Sequence, residues 1–198
     1  MMLTERTTVP KEALPIAGFR DHLRLGTGFS DDTLQDEVLE GCLRAAIAAV
    51  EARTGKSLFV RSFTWSVTAW RDLSRNTLPV APVVAIQRMA IVDRFGAETV
   101  IDPARYVLER DAHRPRIAAT SLFLPSIPIG GSAEIQFDAG FAETWTDLPA
   151  DLSRAVLLLA AHYYENRSAS SETAGSIPYG VAALLDRYRN VRLFGGAA

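Results

Sequence analysis

Three histidines, one cysteine and a few acidic pairs are the residues of this chain best equipped for chemistry, and their spacing limits what they can do. His162 precedes Glu165 by three residues in His-Tyr-Tyr-Glu. A zinc-binding helix presents two imidazoles as His-Glu-x-x-His, and no second histidine is near. One histidine and an acidic residue leave open acid–base work in a small α+β hydrolase or lyase. Gly130-Gly131-Ser132 lacks the Gly-x-Ser-x-Gly elbow that exposes a nucleophile, and it reads as a turn feeding a strand. Asp36 and Glu40 stand at helical spacing and read as a solvated face. There is neither a Walker-type phosphate loop nor a Gly-x-Gly-x-x-Gly fingerprint. Cys42 is the sole cysteine, so no disulfide can form within the chain and no cysteine-based zinc site can be built. Its neighbours Gly41, Leu43, Ala45 and Ala46 make it a small apolar residue of a helix. No catalytic constellation, metal site or cofactor is expected.

The residues with most bearing on a partner lie at the C-terminus. Arg187, Arg189 and Arg192 outnumber the local Asp186 and interleave with Tyr188, Leu193 and Phe194. A helix end that is both basic and apolar, followed by a short Gly-Gly tail, could dock on an acidic groove. Cations that favour a helix C-terminus while the helix packs at home would leave the same pattern.

The elements that must position these residues fall in three zones. Residues 1–12 are polar and expected to be mobile. A short helix is expected over Ala13–Leu25, with Ile16, Phe19 and Leu23 on one face. Ser30 is a good N-cap, and Asp31 and Asp32 suit the first turn of a helix over about 31–53. Leu39, Leu43, Ala46, Ile47 and Val50 form its apolar stripe, and Thr54-Gly55 stops it. After Gly55 the period becomes two. Phe59, Arg61, Phe63, Trp65, Val67 and Ala69 alternate with polar residues and predict a long half-buried strand.

Further strands are predicted at Val83–Val92, Glu98–Ile101, Tyr106–Glu109, Arg116–Ala118 and Ala133–Asp138. Turns rich in Pro and Gly separate them, with exposed loops at 111–115 and 126–131. Asp151–Asn166 reads as a central buried helix and Ser168–Ser176 as a flexible linker. A last helix is expected over about Pro178–Asn190, with Val181, Leu184, Leu185 and Tyr188 on one stripe. The fold class is therefore α+β: helical parts at 13–55 and 148–190 flank a mostly antiparallel β-rich middle at 58–140. Residues 191–198 form a tail, and residues 1–198 a single domain.

Composition narrows the function. The chain has 198 residues, 21 Lys+Arg against 23 Asp+Glu, and a formal charge of −2. That balance argues against a protein that coats nucleic acid. With 48% hydrophobic and 22% charged residues, the chain is expected to fold. Only Lys11 and Lys56 are lysines, so 19 of the 21 cations are arginine. Arginine suits planar, bidentate interface contacts and keeps a DNA-binding module among the alternatives; a GC-rich genome produces the same bias. No apolar run approaches the roughly 18 to 20 residues that span a bilayer. With no apolar signal core either, a soluble protein of a reducing compartment is expected.

A series of short segments, in order over most of the chain, resembles a known family. They are Ala13-Leu-Pro-Ile, Asp31-Asp-Thr-Leu, the stretch from Ala45 to Lys56, Leu78-Pro-Val-Ala-Pro-Val-Val-Ala-Ile and Phe137-Asp-Ala-Gly-Phe. Leu148-Pro-Ala-Asp-Leu, His162-Tyr-Tyr-Glu-Asn-Arg and the stretch from Pro178 to Arg189 complete it. Together they resemble the head–tail connector (adaptor, or head-completion) proteins of long-tailed phages and phage-derived gene transfer agents. The resemblance implies a small α-helical bundle with a β-rich insertion at about 58–140, and a structural protein, not an enzyme. It implies a ring, typically of twelve subunits, that sits in the particle neck between the portal protein and the next neck or tail component. Such a ring extends the DNA exit channel, and DNA passes without specific binding. The resemblance also implies assembly in the host cytoplasm, no membrane, and a C-terminal segment reaching the portal. Arg187, Tyr188, Arg189, Arg192, Leu193 and Phe194 would make that contact.

Overall fold

The computed structural model describes residues 1–25, 32–166 and 177–189. Among the described residues, four α-helices and two antiparallel sheets make the protein α+β. The chain divides into two compact units. One combines Met1–Val9 with Lys56–Glu143; the other combines Pro10–Gly55 with the chain from Thr144 onward.

The helical unit is organised by two long helices, α2 (Asp32–Thr54) and α3 (Ala150–Glu165), which pack on each other. Leu39, Leu43, Ala46, Ile47 and Val50 are all buried on α2, the stripe that the three- and four-residue spacing predicts. Gly55 ends α2 with φ 67°, where glycine has no Cβ to clash. The expected cap Ser30 and its neighbour Asp31 lie outside the described residues. The shorter α1 (Ile16–His22) packs on α2 and buries Phe19. It is shorter than the periodicity suggests, because Pro10 and Pro15 occupy the approach and Lys11–Ala13 form a 3-10 turn. On α3 the buried side chains are Leu152, Ala155, Val156, Leu159 and Ala160, while Leu157 and Leu158 are half-buried. The helix expected to be central and buried thus buries one face. α4 (Tyr179–Leu185) packs on α3, and a 3-10 turn over Asp186–Tyr188 replaces the expected last helical turn.

The β unit is built on one hydrophobic core shared by a five-stranded and a three-stranded sheet. The strands are β1 (Met2–Glu5), β2 (Arg61–Val67), β3 (Arg75–Thr77), β4 (Val83–Val92), β5 (Glu98–Val100), β6 (Tyr106–Glu109), β7 (Arg116–Ala119) and β8 (Ser132–Ala139). The larger sheet has the order β1-β2-β8-β4-β5 and the smaller one β3-β7-β6. On β2, Phe63, Trp65 and Val67 are buried, and opposite them Ala133, Ile135 and Phe137 of β8 are buried too. Phe63 and Phe137 stack with ring centroids 5.7 Å apart. Met89, Ile91, Ile117, Tyr106, Leu78 and Leu124 complete the core.

Two strands escaped the pattern reading. Residues 1–12 were expected to be mobile, yet Met2–Glu5 pair with β2 in register from Met2↔Ser66 to Glu5↔Phe63. Every residue of β1 is exposed, so no alternation of buried and polar positions marks it. β3 is three polar residues, with no apolar alternation, and shows only through its pairing with β7.

Candidate functional site

The C-terminal end of α4 is held by one carboxylate. Asp151 stands in the first turn of α3, where the positive end of the helix dipole favours an acid. The Tyr188 hydroxyl donates to Asp151 Oδ1 at 2.7 Å, and Arg187 Nη1 lies 3.2 Å from Asp151 Oδ2. The Arg187 guanidinium also sits over the Tyr188 ring, 4.9 Å from its centroid, in cation–π range. Arg189 pairs with Asp186 at 3.5 Å.

These contacts separate the six residues picked out from the sequence. Tyr188 is buried, with 6% of its surface exposed, and acts as an anchor within the helical unit. Burial and the hydrogen bond to Asp151 push its phenol up to about 12, so it stays neutral across physiological pH. Arg187 and Arg189 keep 73% and 51% of their side chains exposed. Arg192, Leu193 and Phe194 lie outside the described residues, as does the expected linker at 168–176. Counting neighbours along the chain suggested a surplus of positive charge here. The structure adds Asp151 from 36 residues upstream of Arg187, so Arg187 and Arg189 each have a carboxylate. The readable hint was an aspartate just after Pro149, a helix-start pattern.

Because the Tyr188 hydroxyl ties the end of α4 to Asp151 of α3 by a part-buried hydrogen bond, Tyr188→Phe is expected to cost about 1 kcal/mol. That should appear as a fall of roughly 2–4 °C in thermal unfolding near neutral pH. No change would mean the bond contributes nothing.

The residues with catalytic potential are dispersed or occupied. His162 Nδ1 faces the Asn166 amide at 3.1 Å, and its Nε2 is buried with no hydrogen-bond partner. Glu165 points into solvent, so the pair does not form an acid–base dyad. Asp36 is ion-paired to Arg20 at 2.5 Å. Glu40 takes Arg44 at 2.8 Å and Lys11 at 3.3 Å, and these cations hold its carboxyl below the usual range. The expected solvated face is therefore an ion-paired one. Gly131 N–H donates to Pro128 O at 2.9 Å, forming a turn immediately before β8. Among the described residues, no group of three His, Cys, Asp or Glu side chains gathers to hold a metal ion. No described helix is long and apolar enough to cross a membrane.

No protein-family model and no curated protein sequence matches the chain. Solved structures do. A chain from the neck of an empty gene transfer agent (GTA) particle, computed with C6 symmetry, is 52% identical with a TM-score of 0.90. A chain from the virion of a native GTA particle is 51% identical with a TM-score of 0.87. A chain from the neck of a native GTA particle, computed with C12 symmetry, is 47% identical with a TM-score of 0.85. In each case the match covers 99% of this chain and 99% of the other. At that identity over the full length of both partners, the chain belongs to the head–tail connector family represented in the neck of gene transfer agent particles.

Proposed function

We propose that this protein is a non-enzymatic adaptor that forms a ring, typically of twelve copies, in the neck of a phage-like particle. The ring lies between the portal protein and the next neck or tail component and extends the channel through which DNA leaves. The observation that carries this reading is the end-to-end similarity to neck chains in assemblies of C6 and C12 symmetry. A cyclic assembly needs a heterologous contact, in which one face of each copy meets a different face of the next. The near-zero net charge suits a conduit, since each phosphate contact with Lys or Arg would add affinity for the passing DNA.

In this reading the helical parts (13–55 and 148–190) and the β-rich middle (58–140) act as one connector domain, and the chain end docks on the portal. Tyr188 is the fixed root, Arg187 and Arg189 supply exposed cations beside it, and Arg192, Leu193 and Phe194 make the contact. The test is deletion of residues 190–198. The shortened protein is expected to unfold at the temperature of the full chain yet fail to join portal, leaving particles without a neck ring by electron microscopy. Complete, tailed particles built with it would overturn the docking role. A neck ring still present in particles from which this protein has been deleted would overturn the adaptor reading itself.

A further inference from the structure

The five-stranded sheet ends in two open edges, and their backbone polarity can be read from the pairing. Arg6 N–H donates to Ser62 O at 2.8 Å, which makes residues 2, 4 and 6 the ones that bond inward to β2. The N–H and C=O groups of Leu3 and Glu5 therefore point away from the sheet. At the other edge, Asp93 N–H donates to Ala97 O at 3.0 Å and Ile101 N–H to Met89 O at 2.9 Å. That parity sends the N–H and C=O groups of Glu98 and Val100 outward from β5. Residues 1–8 and 94–100 are all exposed, so neither edge is covered by another part of the chain among the described residues.

Neither edge strand carries a proline, a lysine or a bulge, and the one charge on each, Glu5 or Glu98, is ion-paired to Arg61 or Arg88, so shortness is the main device that limits pairing. All four strand pairs of this sheet are antiparallel, so β1 and β5, the two ends, run in the same direction. This matters in a ring. Cyclic symmetry brings one face of a copy against a different face of the next, so it joins unlike edges, here β5 to β1. An isologous dimer would instead need a two-fold axis and would pair like edges.

We infer that β5 of one copy pairs in parallel with β1 of a second copy, continuing the five-stranded sheet from subunit to subunit around the ring. This rests on the ring reading above. In a parallel pair, an outward-facing residue bonds to the two neighbours of the residue opposite it. The outward groups of Val100 therefore meet those of Leu3 and Glu5 when Val100 stands opposite Thr4, or those of Glu5 and the next odd residue when it stands opposite Arg6. Both registers keep sidedness, because the chain of partners Val100, Ala90, Glu134, Ser66 and Met2 puts Val100 on the face shared by Thr4 and Arg6. Three or four residues of pairing are weak in isolation, and closure of the ring adds them cooperatively.

Particles assembled from double-cysteine variants test this. Thr4→Cys with Val100→Cys and Arg6→Cys with Val100→Cys place thiols on one face of adjacent strands. Leu3→Cys with Val100→Cys and Glu5→Cys with Val100→Cys place them on opposite faces. Cys42 is common to all four and is controlled by the comparison. Mild oxidation is expected to give a ladder of disulfide-linked multimers in at least one of the first two variants and in neither of the last two. With a neck ring visible in the same particles, an absent ladder, or equal ladders in all four, overturns the pairing. Cross-linking of β5 to a different neck or tail protein overturns it too. A ring missing from wild-type particles would instead defeat the ring reading. As a second arm, Val100→Pro deletes an outward N–H and spares the ladder to β4. Purified, it should melt as the wild type does, while ring-bearing particles fall at least tenfold; full ring occupancy overturns the inference.

Discussion

Gly140→Ala should destabilise the protein by about 4 kcal/mol, lowering the thermal midpoint by roughly 10 °C and cutting soluble yield. Gly140 follows β8 with φ 153°, where a side chain is strained. A Cβ built there would fall 2.3 Å from the carbonyl carbon and oxygen of Phe59 and 2.4 Å from Val60 N. These are backbone atoms, so no rotamer change relieves the clash. They are also fixed in place, since Gly140 N–H donates to Pro82 O at 2.9 Å and Val60 N–H to Ala142 O at 2.9 Å. Relief therefore requires the start of β2 and the end of β8 to move apart. Gly41→Ala is the matched control. It lies inside α2, where a Cβ meets nothing within 4 Å, and alanine there should stabilise the helix by about 0.5–1 kcal/mol. If Gly140→Ala melts like the wild type, the packing around Phe59 is wrong as described.

Raising the pH above 8 should stabilise the wild-type protein, and Lys56→Met should abolish that gain. Lys56 is 2% exposed, and its Nζ donates to Ala112 O at 2.6 Å. Burial pushes its pKa down to about 8 from the ordinary 10.5, with the nearby Asp111 carboxylate opposing the shift. Between those two values the unfolded chain binds the extra proton and the folded protein does not, so stability rises with pH across the window. The whole shift corresponds to on the order of 3.4 kcal/mol, and from about pH 8 to about pH 9.5 the gain is about 1.5 kcal/mol. Measurement should stop there. Tyr106, Tyr163 and Tyr188 have raised pKa values, so their stabilisation is lost as pH climbs above 10. Urea unfolding at the two pH values reads the difference; equal slopes for wild type and Lys56→Met would show that Lys56 is not the group responsible.

Lys56 also shows where sequence reading fails. Next to a helix-stopping glycine, a lysine reads as an exposed cation, and nothing local says that residues 111–115 come back to accept its hydrogen bond. Asp111 is equally hidden: it looks like a loop acid, yet its Oδ1 accepts the His113 and Arg114 N–H groups, both at 2.7 Å, and shapes the loop that presents Ala112. Asp151 belongs in the same class, because its two clients are 36 and 37 residues away. Contacts that one helix or one hairpin makes with itself were legible, and contacts between distant segments were not.

The sequence by itself determined that this is an α+β protein with helical ends and a β-rich middle. Period and punctuation are local properties: the stripe of α2, its Gly55 stop and the alternation of β2 each depend on residues within a few positions. Tertiary structure decided the rest. It recruited Met2–Glu5, a segment with no pattern of its own, as an edge strand whose only credential is β2 beside it. It turned an apparent surplus of arginine into balanced pairs by bringing Asp151 under Tyr188, and it left two parallel-running edges open on one sheet. A strand edge and a buried ion partner are made by pairing across the fold, so no window of sequence contains them.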